Sequence, residues 1–237
     1  MRPALSIRGV RCCMFMPQLR LSDDTLNQLR EVIPGWVPSI IDANLEVRNG
    51  IYTAPLPWAI VSPDGKERIV FAPMKVDYLF FQGGDYTHEE MTGCINKCIT
   101  VFNKILSISN TAASRLAFAP AYVLGFDEES YKTFIESRTQ NPQFKGRRIE
   151  EANFTQTFFV EEEIRGSRVM MNYLSKFETE RYVDNVDGRN QLLSRNTLEF
   201  DINTREDNSL FFTNDDVTDF FGKALQFNED YLDYYFA

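Results

Sequence analysis

Two stretches of the chain share one pattern of aromatic, acidic and apolar residues, and this repetition constrains the fold more than any other feature. Residues 86–102 read YTHEEMTGCINKCITVF, and residues 212–228 read FTNDDVTDFFGKALQFN. At the same spacing, each has an aromatic residue, a threonine, two adjacent acids, a second threonine and a lysine. Apolar residues recur between them at helical intervals. We therefore predict an internal duplication in which each stretch begins a long amphipathic helix.

The elements predicted before these helices repeat as well. Residues 4–21 begin as a strand, and Ser22 then caps a short helix. Residues 116–126 form a second such strand, and Asp127 caps the helix that follows it. Each half continues with about three strands and a long helix, so each half reads β-α-β-β-β-α.

This element order predicts an α+β protein made of two pseudo-repeats. Residues 1–110 would form the first repeat and residues 111–237 the second, together one compact unit. Antiparallel strands followed by a long helix bury one face of a curved sheet, so we expect two long helices on one face. The order resembles the TATA-binding-protein fold, which contains it twice. The resemblance concerns architecture alone, because that protein is basic and this chain has a net charge of −9.

Turn signals divide the strands of each half. Ser62-Pro63-Asp64-Gly65 predicts a tight turn between two strands, and Arg165-Gly166 predicts another. Residues 141–151 and residues 183–195 are polar stretches, and we predict that both are loops. Residues 197–202 alternate between apolar and polar types, which indicates a strand before the final helix.

Charge is distributed unevenly along the sequence. Residues 1–22 contain four arginines and no acid, whereas residues 199–237 contain ten acids and two basic residues. An acidic chain is a poor general binder of nucleic acid, because phosphate affinity depends on lysine and arginine. The asymmetry suits a head-to-tail contact with another copy or a basic partner, and it equally suits a solvated amphipathic helix. Homo-oligomerisation through an exposed sheet edge is a further expectation.

The sequence contains no recognisable signature of catalysis, cofactor binding or a metal centre. Its single histidine, His88, is not accompanied by a nucleophile and an acid in a known arrangement. The spacing of Cys12, Cys13, Cys94 and Cys98 favours buried, reduced thiols in a cytoplasmic protein. No apolar run reaches the roughly 18 residues of a membrane span. We therefore expect no cofactor, no metal and no membrane partner.

Two surface features are candidate contact sites. A basic edge within residues 145–195 would contact an anion or nucleic acid, although pairing with neighbouring glutamates explains it equally well. Its candidate residues are Lys145, Arg147, Arg148, Arg165 and Arg168. The acidic and aromatic C-terminal stretch would dock into a partner protein, unless its rings form the last core-facing turns of the helix. Its candidate residues are Tyr231, Tyr234, Tyr235 and Phe236.

A set of short motifs resembles a known family. The motifs, in chain order, are Trp58, Ser62-Pro63-Asp64-Gly65, Arg68-Ile69-Val70-Phe71, Arg115-Leu116 and Phe200-Asp201-Ile202-Asn203-Thr204. Their arrangement is similar to a sporadically distributed family of bacterial and archaeal proteins of about this length, which has no assigned activity. Sporadic distribution often accompanies phage-defence or toxin–antitoxin operons. The resemblance therefore implies an accessory or neutralising component of such an operon, by association rather than by mechanism.

These observations lead to three hypotheses, given in order of preference. The first is a non-catalytic regulatory protein that binds another protein, as an accessory or neutralising component of such an operon. The second is a nucleic-acid or nucleotide-binding module that uses the basic 145–195 edge. The third is an enzyme of an unrecognised class, which requires a pocket with convergent polar groups where the two halves meet.

Overall fold

An antiparallel sheet of nine strands is the centre of this α+β protein. The computed structural model describes residues 2–16, 22–40, 46–48, 51–53, 58–72, 74–81, 88–139, 152–186, 189–206 and 210–237. The strands are β1 (Ala4–Phe15), β2 (Val37–Ile40), β3 (Glu46–Arg48), β4 (Ile51–Thr53), β5 (Trp58–Val61), β6 (Glu67–Ala72), β7 (Lys75–Phe81), β8 (Arg115–Gly125), β9 (Asn153–Ile164), β10 (Ser167–Val186) and β11 (Arg189–Thr204). The helices are α1 (Asp23–Arg30), α2 (His88–Ser109), α3 (Glu128–Thr139) and α4 (Asn214–Tyr235).

The strand order of the large sheet is β2-β5-β6-β7-β1-β8-β11-β10-β9, and β3 pairs with β4 in a separate two-stranded ribbon. Strands β1 and β8 lie side by side at the middle of the sheet, with Cys12 opposite Phe118. Side chains alternate across β1, so that Val10, Cys12 and Met14 are buried in the core while Arg11 is exposed on the other face. Along its central strand the sheet therefore turns one side to the core, while the other side carries Arg11 together with Cys13.

Both long helices contribute to the core. Phe102 of α2 and Phe221 of α4 are fully buried, and their ring centroids lie 5.5 Å apart in an edge-to-face contact. The ring of Tyr231 in α4 stacks on Phe200 of β11 with a centroid distance of 4.2 Å. Apolar residues at helical spacing bury this face of α4 against β8, β9 and β11. None of the helices formed by the described residues is long and apolar enough to cross a membrane.

Local signals in the sequence set the ends of several elements. The hydroxyl of Ser22 accepts a hydrogen bond from the backbone N–H of Thr25 and caps α1, as predicted. Asp127 caps α3 in the same way, through the backbone N–H three residues further on. Between β5 and β6, the N–H of Gly65 donates to the carbonyl of Ser62. Gly65 adopts a positive φ that the absence of a side chain permits.

One predicted loop is wrong. Residues 183–186 and 189–195 belong to β10 and β11, which pair as far as Val186 and Arg189. Most side chains of this segment are exposed, so its sequence carries no one-sided apolar alternation. The dipeptide Asp187-Gly188 is a strong hairpin signal, and it predicts the structure better than the polar composition does. The other predicted loop, residues 141–151, lies outside the described residues.

The basic N-terminus and the acidic last helix meet within the chain. Arg2 pairs with Glu229 at 3.0 Å and with Asp233 at 3.2 Å. All three side chains remain more than a third exposed, so these pairs contribute little to stability. Part of the charge asymmetry that suited a contact between two copies is therefore satisfied inside one chain.

A buried carboxylate joins α2 to the sheet. Glu67 of β6 is 6% exposed, and it accepts hydrogen bonds from the phenol of Tyr78 and the ammonium of Lys97. Tyr78 is fully buried, whereas the side chain of Lys97 remains 59% exposed. Removal of one partner would leave the Glu67 carboxylate desolvated and poorly compensated.

We expect Lys97→Met to lower the free energy of unfolding by about 1–3 kcal/mol, because Glu67 then keeps only the phenol as a donor. Lys104→Met on the same helix is the matched control. Lys104 pairs with Glu31, whose side chain is 66% exposed, so its loss should cost less than about 1 kcal/mol. Urea unfolding of both variants measures the difference, and equal losses would contradict the buried character of the Glu67 pair.

Candidate functional site

Two of the five residues predicted for the basic edge, Arg165 and Arg168, lie in the described part of the chain, and both form ion pairs. Arg165, in the turn between β9 and β10, pairs with Asp215 at 2.8 Å. Arg168 pairs with Glu161 at 3.2 Å across the β9–β10 hairpin. The other three predicted residues, Lys145, Arg147 and Arg148, lie outside the described residues. Of the predicted contact residues of this edge, Arg165 and Arg168 are therefore already matched with carboxylates.

Helix α4 turns most of the C-terminal aromatic side chains inward. Tyr231 and Tyr235 are each 2% exposed and Phe236 is 8% exposed, whereas Tyr234 is 59% exposed. Tyr231 and Tyr235 are one turn apart, so they continue the core-facing stripe of the helix. Arg138 of α3 donates to the backbone carbonyl of Tyr235 at the end of this stripe. Of the four predicted contact residues, Tyr234 is the one that presents its ring to solvent.

Strand β11 has the apolar core on one side and a polar cluster on the other. The side of the sheet that faces away from the core is called the outer face below. Phe200 and Ile202 are buried in the core, and Asp201 and Asn203 alternate with them on the outer face. Asn203 is only 3% exposed although it is polar. The pairing register places Asn172 of β10 directly beside it.

Asn203 is the centre of a hydrogen-bond network that joins three strands. Its side-chain carbonyl accepts from Arg115 Nη2 at 2.9 Å and from Asn172 Nδ2 at 3.0 Å. Its own Nδ2 donates to Asp201 at 2.8 Å. Two buried atoms of this network, Arg115 Nε and Asn172 Oδ1, have no hydrogen-bond partner among the described residues. An unpaired buried donor or acceptor costs about 1–3 kcal/mol, so the network leaves one donor and one acceptor to be satisfied.

A cleft of about 390 Å³ lies beside this network and is called the outer-face cleft below. It is lined by Arg115, Phe159, Asn172, Arg205 and Glu206. The guanidinium of Arg205 lies 4.7 Å from the ring centroid of Phe159, which is 58% exposed. Glu206 accepts a hydrogen bond from Arg115 at 2.7 Å, and its side chain is 80% exposed. The volume and the mixed lining suit one small ligand or one side chain of a partner.

Sequence reasoning missed this cluster, although Arg115, Asp201 and Asn203 belong to the motifs that carry the family resemblance. Arg115 and Asn203 are 88 residues apart along the chain, and only the pairing of β8 with β11 brings them together. The usable signal was the alternation of polar and apolar residues in β11, which predicts a polar second face. The described residues that line the cleft all belong to the predicted second half, whereas the enzyme hypothesis required a pocket between the halves.

Two of the buried thiols, Cys13 and Cys98, are held in their protonated form. Burial, the charge of Asp77 and a hydrogen bond to that carboxylate raise the pKa of Cys13. Burial and a hydrogen bond to Cys12 raise the pKa of Cys98. All four cysteines are buried, as the sequence predicts. Because the thiolate is the reactive form, Cys13 and Cys98 are poor nucleophiles at neutral pH.

The ends of β10 and β11 extend beyond the rest of the sheet as a two-stranded ribbon, here called the ribbon arm (residues 180–186 and 189–195). Strand β9 pairs with β10 as far as Glu178, and β8 pairs with β11 from Asn196 onward. On the ribbon arm, Val183 and Leu192 lie directly opposite each other and are each 65% exposed. Two opposed apolar side chains with this exposure form a small apolar patch on a projecting element.

Within the described ranges, no group of three or more His, Cys, Asp and Glu side chains is placed to hold a metal ion. The features that remain as candidates are the outer-face cleft and the ribbon arm, one polar and one apolar. No protein-family model matches the chain, and no curated protein matches it either.

Proposed function

We propose that the chain is a non-catalytic protein that binds another protein, with the ribbon arm as its principal contact. The observation that carries the proposal is the exposed pair Val183 and Leu192, each 65% exposed on an arm about 20 Å long. Neither strand of the arm pairs with a third strand among the described residues. Removal of apolar surface from water is the main driving force of protein association, so this patch gains most from a protein partner.

We further propose that the scaffold is a duplication of the TATA-binding-protein type, with repeats at residues 1–110 and 111–237. Counted outward from the central pair, the strands run β1-β7-β6-β5 on one side, with β2 beyond β5, and β8-β11-β10-β9 on the other. Each side begins at the centre with the first strand of its half. The last strand of that half lies next to it, followed outward by the two strands that precede the last one in the sequence. This common order supports the duplication that the repeated helix pattern predicts.

The placement of both long helices on one face belongs to the same proposal. The contact of Lys97 with Glu67 ties α2 to the sheet, and the contact of Tyr231 with Phe200 ties α4 to it. The pairing register puts Glu67 and Phe200 on the same side of the sheet. The outer face then lies opposite both helices and is left as a second surface for the partner.

The charges of the outer face support a protein rather than a nucleic acid as the partner. Arg8 of β1 reaches Glu180 of β10 at 3.1 Å across two intervening strands, which supports a concave surface. Arg195 pairs with the same carboxylate at 2.6 Å. Hydrogen bonds from both arginines outweigh the effect of burial and lower the pKa of Glu180. A surface that binds phosphates needs an excess of lysine and arginine, and here Arg8 and Arg195 are already paired with Glu180.

The narrower role, an accessory or neutralising component of a phage-defence or toxin–antitoxin operon, rests on the family resemblance. Neutralisation requires that the partner be held in a stoichiometric complex at physiological salt. A partner encoded beside this chain should therefore co-purify with it. The alternative, a nucleic-acid or nucleotide-binding module that uses the basic 145–195 edge, predicts nucleic acid in its place.

We expect the double variant Val183→Lys/Leu192→Glu to lose the protein partner that the wild-type chain retains. It removes both apolar side chains, while opposite charges across the two strands keep the ribbon arm paired. The loss of two buried apolar contacts, about 1.5–3 kcal/mol each, should weaken the complex at least about 100-fold. Affinity purification of tagged copies from the native host, with protein and nucleic acid identified together, measures the loss.

Met74→Lys is the matched control, because Met74 is 61% exposed in the turn between β6 and β7. This variant should keep the partner, and thermal unfolding should show that all three chains are folded. A partner held equally well by the arm variant would overturn the proposal, as would a wild-type chain that stays monomeric and recovers no protein. Recovery of nucleic acid alone would favour the alternative, and the salt dependence of its binding would test the 145–195 edge.

A further inference from the structure

We infer that the outer-face cleft binds a carboxylate together with an adjacent N–H donor, which is the chemistry shared by a polypeptide C-terminus and a free amino acid. The inference deepens the proposed function, and it rests on that function for the choice of a partner's C-terminus as the source. Its lining includes a positive charge and an exposed aromatic ring, and two lining residues, Arg115 and Asn172, each have one buried polar atom without a partner.

Arg115 supplies the positive charge for the carboxylate. Its side chain is 20% exposed, and its Nη2 is fixed by Asn203 at 2.9 Å. The guanidinium also lies 5.0 Å from the ring centroid of Phe15. A guanidinium held on two sides keeps its remaining N–H groups in one orientation, and that orientation favours a planar carboxylate.

Glu206 already places a carboxylate against this guanidinium, at Nη1 and not at the unpaired Nε. It binds Arg115 Nη1 at 2.7 Å, yet its own side chain is 80% exposed. An ion pair with so exposed a partner contributes little, so Glu206 competes only weakly with an incoming carboxylate for the charge of the guanidinium. We assign Glu206 as an internal competitor for the ligand's carboxylate.

The unpaired atoms of the network specify the rest of the ligand. Arg115 Nε needs an acceptor, and Asn172 Oδ1 needs a donor. Both side chains donate to the same carbonyl oxygen of Asn203, so the two unpaired atoms belong to groups that lie side by side. In a C-terminal residue the carboxylate and its own N–H are attached to one carbon atom. Such a residue can therefore satisfy both atoms, whereas a simple anion satisfies only the first.

The ring of Phe159 defines the outer wall of the cleft. It is 58% exposed and lies under the guanidinium of Arg205, so it forms a platform for an apolar or aromatic ligand side chain. Phe159 belongs to β9, which is the last strand in the order of the large sheet. A peptide whose C-terminus enters the cleft can therefore continue along this edge strand, as in the addition of a peptide strand to a sheet edge.

Calorimetric titration of the purified chain with three probes tests the inference. The probes are N-acetyl-glycyl-phenylalanine, the same peptide with a C-terminal amide, and free phenylalanine. We expect the peptide acid to bind at least about tenfold more tightly than the amide, because only the acid forms the charged contact with Arg115. Glu206→Gln should bind the acid about tenfold more tightly than the wild-type chain, and Arg115→Gln should bind it at least tenfold more weakly.

Lys132→Gln is the control, because the side chain of Lys132 is 62% exposed, pairs with Glu136 and does not line the cleft. It should bind as the wild-type chain does. Glu206→Gln keeps the inference testable if the Arg115 variant does not fold. Equal binding of acid and amide would overturn the inference, as would the absence of any binding by both the wild-type chain and Glu206→Gln.

The two sources of the ligand give different results. Stronger binding of the peptide acid than of phenylalanine supports a partner's C-terminus, whereas stronger binding of phenylalanine assigns the same cleft to a free amino acid. The titration uses defined probes and needs no host partner. If no probe binds in the titration but the ribbon arm retains a host protein, the inference about the cleft is refuted and the proposed function is not. If the probes bind as expected but the arm variant keeps its host protein, the role of the ribbon arm is refuted and the cleft inference is not.

Discussion

Alkaline pH is expected to unfold this protein cooperatively between about pH 9 and about pH 11. Five tyrosines have raised pKa values, in each case chiefly because their rings are buried. They are Tyr78, Tyr122, Tyr173, Tyr231 and Tyr235. The pKa of Tyr231 and the pKa of Tyr235 are each raised to about 12. Burial also raises the pKa values of Cys13 and Cys98.

The direction of the pH effect on stability depends on whether the unfolded or the folded chain releases its protons at the lower pH. In the unfolded chain a cysteine has a pKa of about 8.5 and a tyrosine about 10. A group whose pKa is raised by folding contributes its full stabilisation below the unfolded value, and it loses that stabilisation as the pH rises toward the folded value. The two thiols begin to lower the free energy of unfolding at the lower pH, and the five phenols make it fall more steeply as the pH rises further. Together they remove about 6 kcal/mol by about pH 10, which is comparable with the whole stability of many domains.

Circular dichroism and tyrosinate absorbance, followed together along a pH titration, measure this transition. The circular dichroism change should coincide with the part of the absorbance change that comes from the five buried phenols, because these phenols ionise when the chain unfolds. Tyr235→Phe keeps the packing of the ring and removes one titrating group. It should reduce the slope of stability against pH by about 1.4 kcal/mol per pH unit above about pH 10. Stepwise ionisation of the tyrosines with an unchanged circular dichroism spectrum past about pH 11 would contradict the prediction.

The sequence predicts most elements of this fold because the forces that set their ends are local. Ser22 and Asp127 cap their helices through backbone groups three residues away, and such signals are readable in a single sequence. Helix α2 follows its apolar periodicity in the same way. The ribbon arm was missed for a physical reason as well, since a ribbon exposed on both faces needs no apolar alternation. Its only strong local signal is the turn dipeptide Asp187-Gly188.

The outer-face cleft could not be predicted in the same manner. Its network requires that Arg115, Asn172 and Asn203 meet, and the register that brings them together is set by the pairing of β8, β10 and β11. That register depends on which faces of distant strands are buried, and no short window of sequence contains this information. The C-terminal aromatic residues illustrate the same limit. Composition made them a candidate contact surface, but the packing of α4 on the sheet decides that Tyr231 is buried and Tyr234 is exposed.

Phe200→Ala is expected to lower the free energy of unfolding by about 3–5 kcal/mol and the melting temperature by roughly 10 °C. Phe200 is 1% exposed, and its ring stacks on Tyr231 with a centroid distance of 4.2 Å. It also makes edge-to-face contacts with Tyr122 at 6.1 Å and with Tyr235 at 5.9 Å. The substitution therefore removes the ring around which β8, β11 and α4 pack, and it leaves a cavity that these aromatic neighbours cannot fill without moving.

Phe211→Ala is the matched control for this prediction, because it deletes the same side chain at a position that is 69% exposed. Its loss should change the free energy of unfolding by no more than about 0.5 kcal/mol. Chemical denaturation of the two variants separates burial from residue type, since the deleted atoms are identical. A small effect of Phe200→Ala would mean that α4 is not packed on β11 through this ring. The buried position of Tyr231 would then be wrong, and the C-terminal aromatic residues would again be candidates for the partner surface.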